Sequence, residues 1–480
     1  MSKPNKLVFI AAVVLLPLSA SSGFKQVPLV MHVQSTYSDD GVLSIDEIAD
    51  IAARNGIKAV VVTDHDIMEC EYGLPPLNKI IKKKIVRCSV LQAGPQKYLD
   101  AIAAANTKHP GVVLIPGVES TPFYYWTGSA LKNGLTFNDW HKHMLVAGLY
   151  TAEQYRKLPV LGNERDAGKI NYSFIWPLLA AITGIFIALS GPRAPGLVIF
   201  GAGVLFFLNS FPFFALPYDQ YHGPQGEKPY QSLIDYVNNT APETGMVFWA
   251  HPESPNFDSP QPVGPVLAKT GMYPESLYNT YNYTGFGYFQ EGYRVAGKPG
   301  GVWDRVLTDF CKGKRNSPIW AVSELDYRKE GYLNTYIDSF KNILLMDEKD
   351  ELNPKNIIRT LKAGRFYLGV KPRNTYELVL DRFEVRQGAV SASMGKNIIL
   401  LGDDYNFEAR FSASDGKRYP VNVRVIIDGK VFSESAADTP AGISIPGSAL
   451  NGNGKSYCRI EINARNNSSI VSNPIFFERR

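Results

Sequence analysis

Apolar and polar positions along this chain follow two different periods. Between residues 27 and about 326, short continuous apolar runs end in polar or acidic residues and give way to stretches with helical spacing. These runs predict strands at VPLVMHVQ (27–34), KAVVVTDHD (58–66), VVLIPGVES (112–120), HMLVAGLY (143–150), GMVFWAHPE (245–253) and SPIWAVSELD (317–326). SIDEIADIAARNG (44–56) reads as an amphipathic helix, with Ser44 as its cap and Gly56 as its stop. Strands apolar on both faces, alternating with helices, predict a parallel α/β sheet or barrel. From about residue 375 the period shortens. YELVLDRFEVR, NFEARFSASDG, VNVRVIIDGKVF and YCRIEINARN alternate apolar and polar residues, with a hairpin turn at DGK, 428–430. They predict a small β-sandwich of immunoglobulin-like type, expected to pack or to bind a partner or glycan rather than to catalyse.

Three runs are apolar throughout. Residues 7–20, LVFIAAVVLLPLSA, follow Lys3 and Lys6 and read as a signal peptide or an N-terminal anchor. Residues 174–190 and 195–216 each approach the ~20 residues that cross a bilayer, and the GPRA link predicts a transmembrane hairpin. With Lys3 and Lys6 inside, the folded parts lie on the extracytoplasmic side and Arg193 in the hairpin turn is cytoplasmic. The expected organisation is therefore 1–24 leader or anchor, 25–170 first part of the barrel, 171–216 hairpin, 217–372 second part, and 373–480 sandwich.

Composition narrows the classes. The 480 residues are 45% hydrophobic and 20% charged, enough for a substantial core. The net charge of +5 suits an anionic substrate or surface, and the short basic runs at 82–84 and 312–315 give no reason to expect nucleic acid. Four cysteines, without a CxxC pair, make neither a metal cluster nor a disulfide framework.

The chemistry lies where the strands end. His32, His65, His143 and His251 sit in or beside predicted strands, Glu119 closes the third, and Glu324 and Asp326 close the last. In an α/β barrel such positions converge on one mouth. Imidazole and carboxylate together suit zinc, manganese or iron.

HVQSTYSDDG (32–41), TDHD (63–66), PGVES (116–120), the histidine leading HMLVAGL, and AHP (250–252) resemble, in order, the motifs of the PHP (polymerase and histidinol phosphatase) superfamily. With LKAGRFYLG (361–369) they look like its carbaryl hydrolase-like branch. The resemblance implies a distorted seven-stranded (β/α) barrel holding two to three divalent metals. The implied ligands are His32, Asp39, His65, Glu119, His143 and His251, with Glu119 bridging and Glu324 and Asp326 at the positions of the closing motif. Two departures stand out. Gln34 replaces a second histidine, and VSELD stands where the family has a GSDAH-like ending, which favours a harder metal at one position. Asp64 and Asp66 are candidates for orienting His65 or shuttling a proton. The implied activity is phosphoester hydrolysis by a metal-bound hydroxide, on an anionic small molecule or a lipid-linked phosphate near the membrane. Carboxylic or carbamate ester hydrolysis, and a non-catalytic membrane scaffold, are the alternatives.

Overall fold

The computed structural model describes residues 23–130, 134–450 and 454–480. The expected leader or anchor at 1–24 falls almost wholly outside the described residues. The first strand, β1 (Phe24–Val33), starts at its last position.

The strands that build the site follow in chain order. They are β2 (Ala59–His65), β3 (Met68–Gly73), β4 (Lys82–Arg87), β5 (Val113–Ser120), β6 (Met144–Ala147), β7 (Met246–Trp249), β8 (Gly285–Phe289), β9 (Trp320–Ser323), β10 (Phe340–Asp347) and β11 (Phe366–Val370). Helix α1 (Ile45–Arg54) forms as its pattern predicts. Ser44 and Glu47 close a capping box, and Ile45, Ile48, Ala49 and Ala52 are buried.

In the main sheet these strands lie in the order β9-β8-β7-β6-β5-β2-β1-β10-β11. β1, β2 and β5 are mutually parallel, as are β7, β8 and β9. β6 corrects the all-parallel expectation, because it runs antiparallel to both β5 and β7. The cause lies in residues 121–143. They leave β5, build part of a small side sheet at Tyr125–Thr127 and Thr136–Asn138, and enter β6 from the same end of the sheet. Among the described residues no crossover helix intervenes, so the strand must reverse.

The run of seven strands from β1 to β9 is stitched at its two edges. Residues after β9 dock on the C-terminal half of β1. Leu325 N donates to Met31 O, Tyr327 N to His32 O and Gln34 N to Tyr327 O, at 3.1, 2.9 and 2.9 Å. The stitch is one bridge, Val33 to Tyr327, and not a full strand pair. The paired strands thus make an open run rather than the closed ring expected. Core positions such as Val30, Val61, Ile115, Val146, Phe248 and Ala321 are buried along it.

β11 pairs with Ser469–Ser472, so the main sheet continues into the C-terminal strands. These and a second four-stranded sheet enclose a separate core that includes Phe383, Phe407, Phe411, Val423, Ile460 and Phe477. Arg459 joins the two regions. It is fully buried, with Nη2 2.9 Å from Asp304 Oδ2 and Nη1 2.7 Å from Glu461 Oε1.

Helices α2 (Pro95–Lys108) and α3 (Ala152–Arg156) precede the inserted hairpin, which forms α4 (Ile175–Ser190) and α5 (Arg193–Asn209). α5 ends seven residues earlier than the apolar run. Pro212 follows, and Phe214–Ala215 pair with Lys169–Ile170 to close the base of the hairpin. The helices touch backbone to backbone. A Cβ on Gly184 would lie 2.3 Å from Phe200 N, and one on Gly203 2.4 Å from Ala181 N. The segment Tyr172–Ser190 is long and apolar enough to cross a membrane, and α5 is apolar but shorter.

Candidate metal centre

Glu119, the penultimate residue of β5, is the hub of the mouth. Its buried carboxylate meets four imidazoles. Oε2 lies 3.0 Å from His32 Nε2 and 3.5 Å from His65 Nε2, while Oε1 lies 3.5 Å from His251 Nε2 and contacts His143 Nδ1. Gln34 Nε2 also donates to Oε2, at 2.6 Å. The strands explain the convergence. His65 and Glu119 are opposed in register on the parallel pair β2–β5. His32 is the penultimate residue of β1, and His251 follows β7. His143 precedes β6, and because β6 runs backwards its leading end is the one at the mouth. His32, His251 and Asp326 all have positive φ, at 64°, 27° and 46°, which turns the chain sharply at each strand end.

The neighbours hold this cluster rigid. Glu324 Oε2 lies 3.0 Å from His32 Nδ1, and its Oε1 accepts His251 N. Both oxygens are thereby engaged, so Glu324 orients the imidazole of His32 instead of pointing at the centre. Tyr273 Oη lies 3.2 Å from His251 Nδ1 and donates to Ala250 O at 2.6 Å. Asp326 Oδ1 is 3.9 Å from His32 Nε2 and is buried without a hydrogen bond.

The two aspartates of the first motif separate. Asp39 faces Arg87, away from the cluster, and no contact joins it to Glu119 or a histidine. Asp40, and not the expected Asp39, faces the cluster, with Oδ2 3.7 Å from His65 Nε2 and 3.0 Å from Arg328 Nη2. The pair Asp64 and Asp66 also splits. Asp64 accepts from Ser35 N, Ser35 Oγ and Ser38 Oγ at 2.7, 2.7 and 3.0 Å, so it ties down the loop after β1. Asp66 accepts from Ile67 N through Oδ1, and its Oδ2 is buried without a partner.

His141, which the strand pattern passes over, joins the site. It lies with His143 and His251 in a trio whose ligand atoms fall within 4.8 Å of one another. The signal was the His-x-His spacing in HKHMLV.

Residues 31–146 match the PHP domain family model. No curated protein matches the chain. Among solved structures it is similar to a two-domain protein from Bacteroides vulgatus said to contain a PHP-like metal-dependent phosphoesterase. That likeness has 11% identity, a TM-score of 0.36, and covers 92% of this chain and 91% of that one. It is also similar to a protein from Bifidobacterium adolescentis, named for an inferred metal-dependent phosphoesterase activity. There the identity is 15%, the TM-score 0.29, and the coverage 64% of this chain and 89% of that one.

The buried donors around Glu119 are charged in a way that suits cations. Burial alone would raise the Glu119 pKa, but His32, His143 and His65 hold it well below the carboxylate range. Burial likewise would lower His65, yet Glu119 and Asp40 lift it to about 9. His32 is raised against burial by Glu119 and Glu324. His141 and His143 are lowered, chiefly by burial and also by neighbouring imidazoles, with Glu119 opposing the shift. Raised imidazoles around one carboxylate mark a place where positive charge is favoured. Gln34 Oε1 and Asp326 Oδ1 are also buried without hydrogen bonds there. This donor set fits divalent metal ions.

Proposed function

We propose that this chain is a membrane-tethered, metal-dependent phosphoesterase. The observation that carries the reading is the convergence of His32, His65, His143 and His251 on Glu119, with His141 and Asp40 completing the donor set. Divalent ions held by these residues supply the Lewis acidity that hydrolysis of a phosphoester requires. The chain's own groups set the rest. Glu324 and Tyr273 fix the rings of His32 and His251. Arg328, beside Asp40 and Asp326 at the rim, meets the anionic end of the substrate. Burial raises Asp66 to about 7, against Ser120, Ile67 N and His65, which lower it. Asp64 has both oxygens committed to Ser35 and Ser38 and positions the loop.

The tether rests on the hairpin. Its apolar side chains face outward, Trp176, Phe186 and Leu189 being 76, 70 and 83% exposed. An apolar surface of that extent suits lipid. On this reading the mouth lies on the extracytoplasmic side, close to the bilayer, and the substrate is a lipid-linked or membrane-proximal phosphate.

Metal content per chain, measured by mass spectrometry on detergent-purified protein, tests the first claim. Two or more equivalents of manganese, zinc or iron are expected, with loss of metal and of phosphoesterase turnover in Glu119→Ala. A wild type that stays metal-free after reloading would leave the non-catalytic scaffold as the reading. Deleting 171–216 tests the second claim, and unchanged turnover of lipid-linked phosphates by the deletion variant would refute the membrane-facing mouth.

A further inference from the structure

The ribbon formed by β3 and β4 follows β2 after only two residues, Asp66 and Ile67, yet it contributes nothing to the main sheet. It is an isolated antiparallel pair, Met68–Gly73 against Lys82–Arg87. Two strands alone are marginal in water, and every residue of β4 is exposed. Leu74, Ile80, Ile81, Ile85 and Val86 are 37–50% exposed. A ribbon that projects this much aliphatic surface, beside a catalytic mouth, has an unmet partner.

Three observations say what that partner is. First, the tip of the ribbon is bonded to the hairpin. Lys79 N donates to the side chain of Asn209, the last residue of α5, at 3.0 Å, and Asn209 Nδ2 donates to Pro76 O at 3.1 Å. Asn209 lies at the end of the hairpin nearest the rest of the protein, which is where a bilayer surface would pass. The exposed aliphatics of the tip are therefore continuous with the exposed apolar helices. Second, the ribbon is basic. Residues 68–87 carry five cations (Lys79, Lys82, Lys83, Lys84 and Arg87) against two acids (Glu69 and Glu71), a net charge of +3. Lys82 and Lys84 pair with Glu71 and Glu69 at 2.7 Å, and Arg87 with Asp39, which leaves Lys79 and Lys83 without an ion pair among the described residues. Third, the same level of the molecule holds Arg165 and Lys169, also without ion pairs among the described residues. Both line a cleft of about 1200 Å³ between the ribbon and the base of the hairpin. Lys79, Lys82 and Lys84 of the ribbon line it too, with Glu164, Asp166 and Asp219 in the same lining, so the cleft itself carries no excess of positive charge.

Aliphatic tips flanked by unpaired lysines, at the end of a lipid-facing hairpin, match the headgroup layer of an anionic membrane. We infer that the β3–β4 ribbon is a second membrane contact, seated among the phosphates of an anionic bilayer beside the hairpin. The inference rests on the membrane-tethered reading and deepens it. The ribbon begins at Met68, with only two residues between it and His65, so its seating would hold the mouth against the lipid surface, where the hairpin alone leaves the protein free to tilt.

Hydrogen exchange read by mass spectrometry tests it on the full chain. The protein is placed in detergent, in nanodiscs of phosphatidylcholine, and in nanodiscs that also contain phosphatidylglycerol. Peptides from 172–209 report the hairpin and peptides from 74–87 report the ribbon. The expected result is a protected hairpin in both discs and a ribbon that exchanges roughly tenfold more slowly when phosphatidylglycerol is present. In Lys79→Glu/Lys83→Glu the ribbon should return to its rate in phosphatidylcholine, with the hairpin unchanged. A protected hairpin beside a ribbon that exchanges alike in all three settings would overturn this inference and leave the tether intact. An unprotected hairpin would overturn both.

Discussion

Glu119→Gln is the sharpest probe of the centre, because it changes one charge and almost no volume. In the protein stripped of metal, Glu119 is the counter-ion of His32, His65 and His251, all three held above their ordinary pKa. For His65 the rise from 6.5 to about 9, worked against burial by Glu119 and Asp40, corresponds to about 3 kcal/mol of coupling at ~1.36 kcal/mol per unit. Removing one partner of a buried pair costs ~3–5 kcal/mol, so the two routes agree. The stripped variant should melt about 3–5 °C below the stripped wild type. The pH dependence carries a sign. His65 has a folded pKa above its unfolded one, so its contribution is complete below pH 6.5 and is lost as the pH rises through about 9. Stripped wild type should lose melting temperature across that window, and Glu119→Gln should lose far less. Intrinsic tryptophan fluorescence in a chelator, scanned from pH 6 to 10, reads both. A stripped variant that melts at or above the wild type, with the alkaline loss intact, would refute Glu119 as the charge hub.

Three further outcomes follow from the geometry. Asp40→Asn should lower turnover at least tenfold, because Asp40 faces His65 and Arg328, whereas Asp39→Asn breaks only an exposed pair with Arg87 and should stay within about twofold. Steady-state assays on the two variants side by side decide between the neighbours. His141→Ala should lose metal from the His141–His143–His251 trio, while His222→Ala, an exposed histidine beside Asp219, should keep the full complement. Gln34→His replaces an amide that donates to Glu119 with an imidazole at the same buried place, and should raise metal occupancy at equal free manganese. Titration followed by desalting and metal analysis checks both.

The sequence disclosed the strands more fully than their directions. Continuous apolar runs such as VVLIPGVES and KAVVVTDHD are dictated by burial on both faces, and they formed where expected, with His65 and Glu119 side by side. The direction of β6 was not legible, because a four-residue apolar run reads the same either way. The choice between Asp39 and Asp40 was equally hidden. A one-residue shift in a loop redirects a side chain, and only Arg87 and Arg328, distant in sequence, show which acid goes where. His141 was visible as His-x-His but lies outside the strand, half-buried, in a segment whose course depends on the side sheet. Glu324 was found at the right strand end, but its engagement by both His32 and the His251 backbone depends on β7 and β9 meeting in space.

The reversal of β6 also bears on where the hairpin emerges. A parallel fourth strand would have ended at the mouth and delivered the insertion there directly. β6 instead ends at the far side of the sheet, so the chain must come back before the insertion can begin. It does so through the short helix Ala152–Arg156, whose Tyr155 is buried against Tyr98, and arrives where Leu161 N donates to Pro122 O at 3.1 Å, just past the end of β5. From there it enters the hairpin. After the hairpin, Trp126 N donates to Gln220 O at 3.0 Å and Gly73 N to Tyr221 Oη at 2.7 Å, so both ends of the insertion are bonded to segments that follow β5 and β2. The helices are therefore rooted on the side of the sheet where His65 and Glu119 lie. Shortening the Ala152–Arg156 return would pull that root away from the mouth while leaving every residue around Glu119 in place. Such a variant should keep its metal, and its turnover of soluble phosphoesters should be spared while that of lipid-linked ones falls.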